Sequence, residues 1–251
     1  MRPTRPGAKS ECAYLAITFS LDRSIWCQTK NQMGRSLGMS FMLYGAAGSG
    51  SVPVEAAMTL IGLDYRVVEA VTWESEAERD KVAVVNPMRQ IPALITPAGE
   101  TITESAAILI WLADAFPQAR LGPTIDDPRR AQFLRWMTFI PASIYSMFWV
   151  RDEPSRLVGE DAAAQAEIRR RTAGRIAECW GVMDRQIKPG RFLLGDEVSV
   201  LDLYVAVASR WTPRRTRFYA AAPRMAEVVR RVDALPELQT FWAERFPLND
   251  V

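Results

Sequence analysis

Apolar residues recur along this chain in two alternating rhythms, and regularly only from residue 41 onward. Phe41-Met42-Leu43-Tyr44 is a short apolar run that predicts a buried strand, ended by the small-residue stretch Gly45 to Ser51. Val52, Ala56, Ala57, Leu60 and Ile61 then repeat at helical spacing, with Gly62 as a C-cap. Tyr65 to Glu69 alternates and predicts a second strand, parallel to the first across a right-handed crossover. A charged segment from Glu74 to Val85 has weak helical character and stops at Asn86-Pro87. Ile91 to Ile95 and the very short Thr101 to Thr103 are two further strands. Only the turn around Pro97-Ala98-Gly99-Glu100 separates them, so they pair as an antiparallel hairpin. Glu104 to Phe116 closes the series as a helix with the apolar face Ala107, Ile108, Ile110, Trp111 and Leu112.

Beyond this β-α-β-α-β-β-α series the pattern becomes helical throughout. A Pro/Gly/Asp-rich connector precedes five predicted helices, over Pro128–Val150, Asp161–Ile187, Val200–Trp211, Arg224–Leu235 and Glu237–Phe246. The expected division is therefore an α/β domain over 39–117, a linker over 118–127 and an all-helical domain over 128–251. Residues 1–38 show no comparable pattern and read as a disordered extension or an over-long translation start. They hold six of the 31 basic residues but only two of the 29 acidic ones, so the remainder is slightly acidic. With a net charge of +2 overall, nothing argues for nucleic acid as a partner. No run of 18 apolar residues predicts a membrane helix, and a cytoplasmic protein is expected.

Composition narrows the chemistry sharply. The chain has no histidine, which excludes Ser-His-Asp and Cys-His hydrolases, histidine-ligated metal sites and the usual neutral-pH base. Its three cysteines, Cys12, Cys27 and Cys179, cannot form a four-cysteine zinc site and include no C-x-x-C pair, so no metal is expected. Cys179 falls within an apolar helical pattern and reads as a small buried hydrophobe. Hydroxyls, carboxylates, arginines, backbone groups or a borrowed cofactor must carry any reaction.

Three places offer such groups. Ser49-Gly50-Ser51 ends the first strand-to-helix turn, where glycine permits close backbone approach and the helix N-terminus favours negative charge. A purely structural account makes Ser51 the helix N-cap and Ser49 a turn residue. Ile91-Pro92 opens the third strand, as a trans strand-start proline or as a cis proline exposing the Ile91 backbone to an extended ligand. Glu104-Ser105 begins a helix and suits either capping or an amino-acid head group. Ser199-x-x-Asp202 ahead of an apolar run is a capping box, and Asp202 is assigned to folding on that ground.

Taken together, Tyr44 with Ser49, the run Asn86-Pro87-Met88-Arg89-Gln90-Ile91-Pro92-Ala93-Leu94, and Thr103-Glu104-Ser105-Ala106-Ala107-Ile108 resemble the glutathione S-transferase family. Gly195 to Asp202 is similar to the family's capping box and buried helix. The resemblance covers nearly all of the chain from Met39. It implies a thioredoxin-like N-terminal domain, an all-helical second domain and a homodimer. By position, Glu104 and Ser105 would bind the γ-glutamyl group of glutathione. Ile91, ahead of cis Pro92, would pair with the cysteinyl part, and Gln90, with Arg89, would lie near the glycyl end. Ser49 falls where serine-type members keep a catalytic hydroxyl, with Ser51 as the alternative; Tyr44 is a weaker candidate. Cysteine-type bacterial members hold a Cys at this turn, where Gly50 stands here. Tyr145, Phe148, Trp149, Arg151 and Trp211 are expected to line a pocket for a small hydrophobic electrophile. The function implied is transfer of glutathione, as co-substrate, to such electrophiles. Glutathione-dependent ether cleavage, dehalogenation or peroxide reduction, or a non-catalytic binding module, are the alternatives.

Overall fold

The structure is a computed structural model that describes residues 40–211 and 215–247. The expectations for residues 1–38, including Cys12 and Cys27, lie outside the described residues. Strand β1 (Phe41–Gly45) is central to a four-stranded sheet of order β2-β1-β3-β4. It pairs in parallel with β2 (Tyr65–Glu69), Leu43 opposite Val67, and antiparallel with β3 (Ala93–Ile95), Leu43 opposite Leu94. The hairpin of β3 with β4 (Thr101–Thr103) has Leu94 opposite Ile102. Strand β3 is two residues shorter than the apolar run predicts. Ile91 and Pro92 stand before its ladder, and the peptide bond between them is cis.

Three helices belong to this half. Helix α1 (Val52–Ile61) ends where Gly62, in the left-handed region at φ 77°, donates its N–H to the carbonyls of Met58 and Thr59. Helix α2 (Glu76–Ala83) starts at Ser75, whose side chain accepts from the Glu78 N–H at 3.2 Å. Helix α3 (Ser105–Ala115) follows β4 directly. Buried Val52, Val54, Ala56, Ala57 and Met58 of α1 and Ile108, Leu109 and Leu112 of α3 join Leu43 and Leu94 in the core.

The second half is all helical. The stretch read from sequence as a single helix over 128–150 is divided: α4 (Arg130–Phe139), a π-helical turn (Ile140–Tyr145) and α5 (Ser146–Asp152). Pro141 explains the interruption, because it lacks the N–H that an α-helical ladder would use there. A four-residue helix α6 (Ser155–Val158) and the 25-residue α7 (Ala162–Gln186) follow, the latter capped by Asp161 accepting from Ala164 N–H at 3.0 Å. Helix α8 (Val200–Trp211) is buried on every side from Val200 to Ser209 and packs against α1 of the first half. Helices α9 (Thr216–Ala221), α10 (Pro223–Asp233) and α11 (Gln239–Arg245) complete the bundle. The short α6 and α9 have too few residues to show a period and are absent from the pattern-based reading. Cys179 is 2% exposed within α7, and burial pushes its thiol up from the ordinary range, so it is an unreactive core residue.

At Ser199 one half of the capping box forms: the Asp202 carboxyl reaches back, while the Asp202 N–H bonds the Ser199 carbonyl and not its hydroxyl. Asp202, fully buried, accepts from the Ser199 N–H at 2.8 Å, the Ser199 hydroxyl at 2.5 Å and the Leu193 N–H at 2.8 Å. The third bond ties the loop before α8 to its first turn. No helix among the described residues is long and apolar enough to cross a membrane.

Candidate active site

The turn after β1 lies at the seam of the two halves. Gly48 is held from both sides by the helical half. Its N–H donates to the Arg245 carbonyl at 2.9 Å, and its carbonyl accepts from Trp211 Nε1 at 2.7 Å. Its φ of 71° lies in the left-handed region, so glycine suits its conformation.

Both serines of this turn point inward. Ser51 is fully buried, and its hydroxyl donates to Glu55 Oε1 at 2.7 Å while accepting from the Ala46 N–H at 3.1 Å. Glu55 is itself buried and paired with Arg245, Nε to Oε2 at 2.6 Å, while Arg245 also reaches Glu69 at 2.5 Å. Ser51 stands at the N-cap position of α1, yet its side chain makes no capping bond, because Glu55 and Ala46 take its hydroxyl instead. Ser49 is 7% exposed. Its Oγ accepts from the Ser51 N–H at 3.1 Å and lies 3.0 Å from Ser51 Oγ. The Ser51 hydroxyl also lies 3.2 Å from the Ala46 carbonyl, so both acceptors within its reach are inside the turn. In the Ser49–Ser51 contact either hydroxyl can be the donor. Both hydroxyls expected to face a ligand are thus within hydrogen-bond distance of one another and of groups inside the turn.

The loop before β3 is built around Asn86. Its Oδ1 accepts from the Met88 N–H at 3.0 Å and its Nδ2 donates to the Gln90 carbonyl at 2.8 Å, which shapes the approach to Ile91 and buried Pro92. The Gln90 side chain is exposed there. The Arg89 guanidinium turns away toward α2, where it pairs with Glu76 and Asp80, each at 2.7 Å.

Glu104 precedes α3 with φ 66°, a left-handed conformation for a residue with a Cβ, and its side chain is exposed and makes no capping bond. Ser105 does not cap the helix either. Its hydroxyl is 2.9 Å from the Tyr204 hydroxyl of α8, across the seam. Burial pushes the Tyr204 phenol well above its ordinary range. Sequence reasoning missed Tyr204, because it sits inside an apolar helix with nothing local to mark it.

From the helical half, Tyr145, Phe148 and Trp211 form one cluster. Trp211 packs edge-on to Tyr145 with ring centroids 4.8 Å apart and to Phe148 at 5.7 Å. Arg151 Nη1 donates to the Trp211 carbonyl at 3.3 Å, which braces that ring from behind. The Tyr145 hydroxyl reaches the turn, so that a Cβ at Gly50 would lie 2.6 Å from it. Burial, followed by the negative charges of Glu104 and Asp152, raises the Tyr145 phenol to about 12. Trp149 does not join this cluster. One step round the helix from Phe148, it is 48% exposed and lies under the Arg156 guanidinium at 4.7 Å. Among the described residues no group of three or more Cys, Asp or Glu could hold a metal ion.

A mixed sheet with a cis proline before its third strand, followed by a helical bundle that closes over the first turn, defines a two-domain protein: thioredoxin-like, then all-α. Residues 48–115 match the N-terminal domain model of glutathione S-transferases. An uncharacterised GST-like protein of Escherichia coli K12 is 26% identical over 198 residues, 78% of this chain and 94% of the relative. A glutathione S-transferase of Escherichia coli O157:H7 is 21% identical over the same shares. The fold is similar to that of a glutathione transferase homologue from Sulfitobacter with bound glutathione, at TM-score 0.72 and 23% identity, over 82% of this chain and 98% of that one. Residues 48–115 thus carry a glutathione S-transferase N-terminal domain, and the relatives that span most of the chain are GST-like.

Proposed function

We propose that this protein binds glutathione at the seam and transfers it to small hydrophobic electrophiles. The observation that carries this reading is that the first turn, Glu104-Ser105 and the Tyr145–Trp211–Phe148 cluster meet at one seam. Glu104, exposed and unpaired by any capping bond, takes the ammonium of the γ-glutamyl group. Ser105 serves through its backbone N–H at the start of α3, its hydroxyl being engaged by Tyr204. Ile91, outside the β3 ladder, offers its backbone to the cysteinyl part, and Gln90 attends the glycyl end. Phe148 and Trp211 form the apolar wall for the electrophile.

The chemistry demanded of the site is modest. A thiol with a pKa of ~8.5 is only a few per cent ionised at neutral pH. Lowering that value by about two units requires roughly 2.7 kcal/mol of preference for thiolate. One charge-assisted hydrogen bond (~1.5–3 kcal/mol) with a helix N-terminus (~0.3–1 kcal/mol) is sufficient. The thiolate then forms a bond to the electrophilic carbon. In a substitution the leaving group departs with its electron pair; in an addition, a proton from water completes the product.

Titration calorimetry with glutathione tests the reading, followed by turnover with aryl halides, epoxides and enones. Absence of both binding and turnover would overturn it. Replacing Glu104 with Gln is expected to weaken glutathione binding about tenfold to a hundredfold, the loss of one charge-assisted contact, with an unchanged melting temperature. Homodimerisation, checked by sedimentation, is part of the same proposal.

A further inference from the structure

We infer that Tyr145, supplied by the helical domain, is the hydrogen-bond donor to the sulfur in this site, the role sequence position alone gives to Ser49. The inference rests on the glutathione reading above. Hydroxyl partners decide it. Ser51 donates to Glu55, and Ser49 is engaged with the Ser51 hydroxyl and N–H, so both serines already take part in hydrogen bonds within the turn. The Tyr145 hydroxyl, by contrast, makes no hydrogen bond among the described residues and is the side-chain O–H that lies against the turn at Gly50.

Its place there is built from both sides. A Cβ on residue 50 would come within 2.6 Å of the oxygen, so glycine at this position is what admits the phenol. The π-helical turn Ile140–Tyr145 ends at this residue, and Trp211, anchored on the Gly48 carbonyl at 2.7 Å, holds the ring edge-on at 4.8 Å. The charged groups acting on the phenol are Glu104 from the start of α3 and Asp152 from the end of α5. Both are acidic and, with burial, keep the phenol protonated at about 12. It therefore remains a neutral donor at every pH where the thiol ionises. The thiol proton passes to water, the phenol keeps its own, and the sulfur is stabilised as thiolate by the O–H it receives.

The test compares Tyr145→Phe, Gly50→Ala and Ser49→Ala with the wild type. Calorimetry with glutathione comes first, then the pH titration of the ultraviolet absorbance of bound thiolate. Tyr145→Phe is expected to raise the apparent pKa of the bound thiol by about one unit, about tenfold less thiolate at neutral pH, with a matching fall in kcat/KM. Glutathione affinity should stay within about twofold, since the head-group contacts are untouched. Gly50→Ala should do the same by displacing the phenol. It decides the matter if the phenylalanine variant fails to fold. An unshifted thiol in both, or a raised pKa in Ser49→Ala alone, overturns the assignment while leaving glutathione binding in place. Failure of the wild type to bind glutathione overturns the functional reading itself, and this inference with it.

Discussion

Replacing Arg245 with Met is expected to lower the stability of the protein by about 3 kcal/mol, and its melting temperature by roughly 6–12 °C. The reason lies in what the change leaves behind. Glu55 is 1% exposed beneath the turn after β1, and both Arg245 nitrogens within reach, Nε at 2.6 Å and Nη2 at 3.1 Å, contact its carboxylate. Without the guanidinium, the buried charge keeps only the Ser51 hydroxyl. Removing one member of a buried pair typically costs about 3–5 kcal/mol, and the 18% exposure of Arg245 places this case at the lower end. Chemical denaturation measures the loss. The double variant with Glu55→Gln should recover a large part of it, because the stranded charge is then gone. Full additivity of the two single losses would contradict the pairing. The Gly48 contact to residue 245 is made by the backbone and survives the change, so glutathione affinity should fall less than stability does.

Asp202→Ala is expected to cost about 2–4 kcal/mol, again read by denaturation. Two backbone N–H groups and one hydroxyl lose their acceptor, and all three are enclosed at the start of the helix that joins the two halves. Asp202→Asn keeps the shape but turns a donor toward groups that themselves donate. Its cost should depend on pH. Burial raises the folded carboxyl from 3.8 to about 6, against the opposing effect of its hydrogen bonds. Between those values the native state holds a proton that the unfolded chain has released, so this residue's contribution is fully present below 3.8 and is lost as pH rises through about 6. Asp202→Asn should accordingly be more costly near pH 4 than near pH 8. The opposite dependence would mean that the carboxyl is held as an anion in the folded protein.

The two predictions differ in how visible their causes are along the chain. Asp202 announces itself three residues after Ser199, and its role follows from that spacing. Arg245 stands in a short helix at the far end of the chain from Glu55, and no local pattern connects them. The candidate site residues divide the same way. The Ile91-Pro92 and Glu104-Ser105 pairs are recognisable as short motifs. The inward orientation of Ser49 and Ser51 depends on where Glu55 and Ala46 come to lie, and the exposure of Trp149 on how α5 packs. Pro141 marks where a single long helical pattern is interrupted, although the pattern itself does not record how.

What the amino-acid order determined alone is whatever is decided within a few residues. This includes the alternation of strands and helices, the left-handed glycine ending α1, the capping box before α8 and the chemistry denied by an absence of histidine. Tertiary structure decided the partners that lie far apart: Ser105 with Tyr204 across 99 residues, Gly48 with Trp211 across 163 and Glu55 with Arg245 across 190. The reason is physical. A hydroxyl has one proton and a buried carboxylate must have a donor, so which groups remain free for a ligand is known only once every neighbour is in place.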